Sequence, residues 1–138
     1  MTADPAVTAL LEVCLTWAFR SVGVTVAVSA AGPTPGDHPD VRVAVGGPRL
    51  DAPFEYVRSL VGSMSASHAA ATIFDDVQNY LDEGELYGVP VPPCDAHPGH
   101  PANLDAHGMT VRLRCSVEPG SWFEDFPGQL DVGVVAQQ

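Results

Sequence analysis

The chain has 138 residues, 46% of them hydrophobic and 17% charged, which is the composition of one ordinary folded domain and excludes a disordered chain. Seventeen carboxylates face six arginines and no lysine, for a formal net charge of −11, so the basic surface that direct nucleic-acid or anionic-membrane binding requires is missing. A basic protein partner or a cation is the ligand class that fits such a surface.

Met1-Thr2-Ala3-Asp4-Pro5 lacks the positive start of a secretory signal, and Asp4-Pro5 has the form of a helix cap followed by its first residue. A cytoplasmic protein is expected, in which the three cysteines serve as free thiols or metal ligands and not as a disulfide. Residues 4–20 read as a helix with Thr8, Glu12, Thr16 and Arg20 as its one polar stripe; everything else on it is close to apolar. Such a helix is either central in the fold or half of a homo-oligomer interface.

Valines then alternate with small residues over 22–28 and again over 41–45, the period of half-buried strands, and a Pro/Gly-rich connection joins them as an antiparallel hairpin. Phe54, Val57, Leu60, Val61 and Met64 recur at helical spacing and predict a second helical run. Ser65 or Ser67 is placed to cap a further helix ending at Gly84, with Ala70, Ile73, Phe74, Val77 and Leu81 toward the core; the two runs are also readable as one helix. Prolines extend the chain over 89–93. A β-rich portion within 87–138 follows, with a segment near 102–106, a turn at His107-Gly108, a strand at 109–117 and a last strand around 130–135. The whole reads as a single α+β domain: N-terminal helix, antiparallel hairpin, one or two central helices and a small C-terminal β portion.

Ligand-type residues gather at Cys94, Asp95, His97 and His100, with His107, Cys115 and Glu118 further on. Cys94 and His97 stand two residues apart, as do Cys115 and Glu118, and the seventeen residues between the pairs suit a hairpin. Over residues 94–118 the chain resembles the zinc ribbons. That resemblance implies a zinc ion held by Cys94, His97 and Cys115, with His100 or Glu118 in the fourth tetrahedral position, in a structural site. The Pro92-Pro93-Cys94 to His97 to His100-Pro101 arrangement is also similar to a segment of small bacterial proteins with no assigned activity. The strand pattern gives Cys115 an alternative place, because it shares a face with Met109, Val111, Leu113 and Val117 and fits the core as well as a metal site.

Charge forms the second constellation. Between Arg58 and Arg112 lie seven carboxylates and no cation, with Asp75, Asp76, Asp82, Glu83 and Glu85 crowded at the end of the central helix, where they oppose its dipole. Those five, with Trp122 and Phe123 in an aromatic and acidic cluster, are the candidate partner-binding residues. No nucleophile or phosphate-binding loop is recognisable. The function expected is a non-enzymatic acidic binding or accessory protein, docking or neutralising a basic protein, with a structural zinc knuckle. Two alternatives are a zinc-dependent hydrolase or deaminase-like enzyme on the same ligands, and a homo-oligomeric assembly subunit built through residues 4–20.

Overall fold

A computed structural model describes residues 1–118, 120–130 and 133–136. The fold is α+β, with two helices and two three-stranded antiparallel sheets. Helix α1 spans Pro5–Ala18; the Asp4 carboxylate accepts from Ala6 N at 2.9 Å and Pro5 supplies the first helical residue without wasting an amide. A 3-10 turn, Arg20–Val22, leads to Gly23 and into β1 (Thr25–Ala30). β1 pairs with β2 (Asp40–Gly46) in the expected hairpin, Val26 opposite Val45 and Val28 opposite Val43. Val24, Val26, Val28, Val41, Val43 and Val45 are all buried.

The polar stripe of α1 is only partly turned to water: Glu12 and Arg20 are exposed, whereas Thr8 is buried and Thr16 half-buried. Thr16 Oγ1 both donates to Val26 O and accepts from Val26 N, each at 3.1 Å, and Glu12 Oε1 accepts from Val28 N at 3.0 Å. β1 is an edge strand, so its outward backbone groups need partners, and the stripe provides them. With Val7, Thr8, Leu11, Cys14, Leu15 and Ala18 buried within its own chain, α1 leaves Val13, 59% exposed, as its largest open apolar side chain.

The helical run expected over 54–64 is instead a strand, β3 (Phe54–Ser59), antiparallel to β2 with Phe54 opposite Val45 and Tyr56 opposite Val43. Val57, a core residue on the helical reading, is 51% exposed. The apolar residues fit both periods, and tertiary pairing decided between them: a two-stranded hairpin is marginal alone, and a third strand completes the backbone bonding of β2. On the inner face Phe54 and Tyr56 reach the ring of Tyr80, at centroid distances of 5.6 and 5.0 Å.

Gly47 ends β2 at φ +115°, and a Cβ there would stand 2.5 Å from the carbonyl oxygen of Gly23. Gly47→Ala is therefore expected to cost roughly 2–3 kcal/mol. Gly46→Ala is the control, since a Cβ at Gly46 would meet Pro53 Cβ at an ordinary 3.5 Å. Urea midpoints of the two variants compare them, and equal midpoints would contradict the close approach.

The one central helix, α2, spans Ala66–Glu83. Ser65 is its cap, accepting from His68 N at 3.3 Å while the His68 ring returns to Ser65 Oγ at 2.7 Å. Ala70, Ile73, Phe74, Val77 and Leu81 are buried as the pattern predicts, and Gly84 terminates the helix.

The second sheet orders β4 (Ala102–His107), β5 (Thr110–Cys115) and β6 (Phe123–Asp125). Its third strand is therefore 123–125. The strand expected around 130–135 falls partly on residues 131 and 132, outside the described ones; nearby, Val134 forms an isolated bridge with Ser65, and Val135 N donates to Met64 O at 3.0 Å. α1 packs on β1, α2 on β4 and β5, and the helices on each other. Leu104, Val111, Leu113 and Phe126 of the C-terminal portion join the same buried cluster as Leu11, Val43 and Phe74.

Candidate metal centre

The proline-rich stretch after α2 is fixed from both sides. Gln78 Nε2 donates to Val91 O at 2.9 Å and to Ala102 O at 2.8 Å, so one helix side chain clamps the chain on either side of residues 94–101. Within them Cys94 N donates to His100 O at 2.9 Å and His100 N to His97 O at 2.8 Å, closing a tight loop. That loop feeds β4. Cys115 ends β5 directly opposite Ala102, so the β4–β5 hairpin returns the second cysteine to the first.

Three side chains converge there: one ligand atom each from Cys94, His97 and Cys115 lies within 4.8 Å of the others. His97 Nδ1 is 3.7 Å from Cys115 Sγ. Tetrahedral zinc with bonds of 2.0–2.3 Å spaces its ligand atoms by roughly 3.3–3.8 Å, so the donors need to close by at most about 1.5 Å. The group can hold a metal ion. Both thiols are fully shielded from solvent.

The backbone prepares the two sulfurs in the same way. The Glu118 amide, 3.5 Å from Cys115 Sγ, is the main cause holding that thiol down to about 6 against its burial, with help from the Val117 amide and the Cys94 and His100 side chains. At Cys94 burial dominates and pushes the thiol up, while the His97 and Ala96 amides partly offset it. Each cysteine thus opens a turn whose amides two and three residues on point at its sulfur, an arrangement that favours thiolate. Cys14, the third cysteine, has no such turn; burial in α1 pushes its thiol up to about 12, and it is core.

His100 stacks on His97 with ring centroids 5.4 Å apart, and among the described residues its buried Nδ1 has no hydrogen-bond partner. Such an atom costs about 1–3 kcal/mol unless something binds it. Glu118 stands on the other side of His97, its Oε1 3.8 Å from Nε2 and its side chain 62% exposed. Asp95 and His107 are exposed, and Asp105 pairs with Arg114. Cys115 satisfies both readings of its position, since it lies on the buried face of β5 with Val111 and Leu113 and also in the Cys/His group.

The acidic set is dispersed. Asp76 accepts from Arg58 at 3.1 Å and from Tyr56 OH at 3.2 Å, and Glu85 accepts from Asp51 N at 2.8 Å and Ala52 N at 3.0 Å. Asp75 is exposed on α2, its carboxyl raised by partial burial and then by Asp105 and Asp76. Asp82 and Glu83 are exposed and make no ion pair among the described residues. Trp122 packs half-buried against the core, whereas Phe123 is exposed with the Arg112 guanidinium 3.9 Å over its ring. Arg20, Arg42, Arg58, Arg112 and Arg114 are each paired with a carboxylate of the same chain, so little positive charge is left to face outward.

Gln78 is the residue that sequence reasoning missed. Its signal was a long polar side chain next to Val77 on the helix face that carries Phe74 and Leu81, where the pattern asks for an apolar one. Among the described residues no helix is long and apolar enough to cross a membrane. Comparison with known proteins finds no similar family model, curated protein or solved structure.

Proposed function

We propose that the protein is a non-enzymatic binding domain for a basic protein partner, its C-terminal sheet fastened by a structural zinc ion on Cys94, His97, His100 and Cys115. The observation that carries this reading is the convergence of two shielded cysteines and His97 beside a histidine whose buried Nδ1 lacks a partner among the described residues. Two thiolates and two imidazoles form a donor set well suited to tetrahedral zinc, and four protein ligands leave no position for a substrate water. Glu118 then acts outside the ligand set, as the carboxylate that receives the second ring nitrogen of His97 and fixes its orientation. The surplus of carboxylates, with most arginines already neutralised internally, favours a cationic protein as the ligand.

The test is metal content and cobalt substitution. One zinc per chain is expected, and the cobalt form should show the intense visible bands of a tetrahedral thiolate site. His100→Ala should weaken or alter those bands, and Glu118→Gln should keep them at reduced affinity, roughly 10–100-fold. A chain that purifies without metal and takes up no cobalt would sink the proposal. A spectrum unchanged in His100→Ala and lost in Glu118→Gln would give the fourth position to Glu118 instead.

A further inference from the structure

A groove of about 310 Å³ runs between α2 and the proline-rich stretch, beside the metal loop. Gln78, Asn79 and Asp82 line it from the helix, Pro90 from the extended stretch, and Gly99 and Pro101 from the loop that carries His97 and His100. Its volume lies at the lower end of the range of ligand clefts, room enough for one long side chain. Among its lining groups, two acceptors stand out, the Gln78 amide oxygen and the Asp82 carboxylate, beside the amide of Asn79, which offers both a donor and an acceptor. Pro90 and Pro101 have no amide hydrogen, and Gln78 spends its NH2 on Val91 O and Ala102 O, leaving its amide oxygen. The Asp82 carboxylate makes no ion pair among the described residues, and no Lys or Arg occurs between Arg58 and Arg112.

We infer that this groove receives an arginine side chain of the basic protein partner, with Asp82 as its counter-ion. A guanidinium brings five donors and no acceptor, which suits the unpaired Asp82 carboxylate and the Gln78 amide oxygen together, and it keeps its charge at any working pH. The inference rests on the reading of a basic partner and gives that partner a site. It also links the site to the metal: Gly99 and Pro101 belong to the loop that the ligands pin, so metal loading holds one wall of the groove in place.

The experiment measures binding of a fluorescent oligo-arginine peptide at low salt to the metal-loaded full chain, to its chelated form, and to Asp82→Asn and Glu83→Gln. Glu83 is the neighbour of Asp82, carries the same charge and lies outside the groove lining. Asp82→Asn should weaken binding roughly tenfold, the scale of one lost charge-assisted hydrogen bond, while Glu83→Gln changes it by less than about twofold. Amide resonances of Val89 and Gly99 should shift on titration. Equal effects of the two variants would mean diffuse attraction and overturn the groove, as would the absence of binding to a chain shown to carry metal. Binding that depends on Asp82 in a chain without metal supports the groove and removes the link to zinc, so failure of the metal reading and failure of the groove give different results.

Discussion

Cys115→Ser is expected to abolish metal binding and to lower the melting temperature by about 10–15 °C or more, to or somewhat below the value that the wild-type chain shows in excess chelator. The magnitude follows from linkage: a metal present at a thousandfold excess over its Kd stabilises the folded state by about 4 kcal/mol. Complete unfolding is not expected, because Leu104, Val111 and Leu113 tie the second sheet to the main core independently of the sulfurs. A serine hydroxyl buried in place of a thiol carries a cost of its own, so chelator response is the decisive measurement. The variant should be insensitive to chelator and the wild type sensitive. Cys14→Ala should retain full metal content and full chelator response, since Cys14 is buried in α1 apart from the Cys/His group. A wild-type melting curve indifferent to chelator, or a Cys115→Ser chain that still carries one metal per molecule, would refute the structural-metal reading.

The sequence made some of this legible, and the reasons divide along physical lines. The caps at Asp4 and Ser65, the valine hairpin and the core face of α2 follow from local chemistry, and the structure places them as the residues predict. Phe54–Ser59 was not legible, because its apolar residues match a helical period and only the unpaired edge of β2 selects the strand. The second role of Glu12 and Thr16 was hidden for a related reason: they are hydrophilic by type, and their partners are the backbone groups of an edge strand ten or more residues away in sequence. At the Cys/His group the spacing singled out Cys94, His97 and Cys115. Their approach depends on the β4–β5 hairpin and the Gln78 clamp, neither of which a ligand count contains. Within the acidic run the spacing could not distinguish Asp76 and Glu85, which have partners inside the chain, from Asp82 and Glu83, which make no ion pair among the described residues.

Phe74→Ala is expected to destabilise the chain by about 3–5 kcal/mol, a drop of about 10–20 °C in melting temperature. Phe74 is completely buried on α2, and its ring stacks on that of Phe19 at a centroid distance of 4.8 Å and an interplanar angle of 17°. Truncation removes the transfer free energy of a benzyl group and leaves a cavity that Phe19, also fully buried, cannot fill without leaving its own place. The position matters beyond its volume. α2 packs against both strands of the β4–β5 hairpin and against α1, which in turn holds β1, so a weakened α2 loosens the two sheets together. Unfolding of Phe74→Ala should therefore remain a single transition when followed by Trp17 and Trp122 fluorescence and by far-ultraviolet dichroism. Trp17 lies on α1 and Trp122 just before β6, so the tryptophans report from both parts of the chain. Two separated transitions would show that residues 87–138 fold as a unit of their own, and the single shared core would then be the wrong description of how this chain is held together.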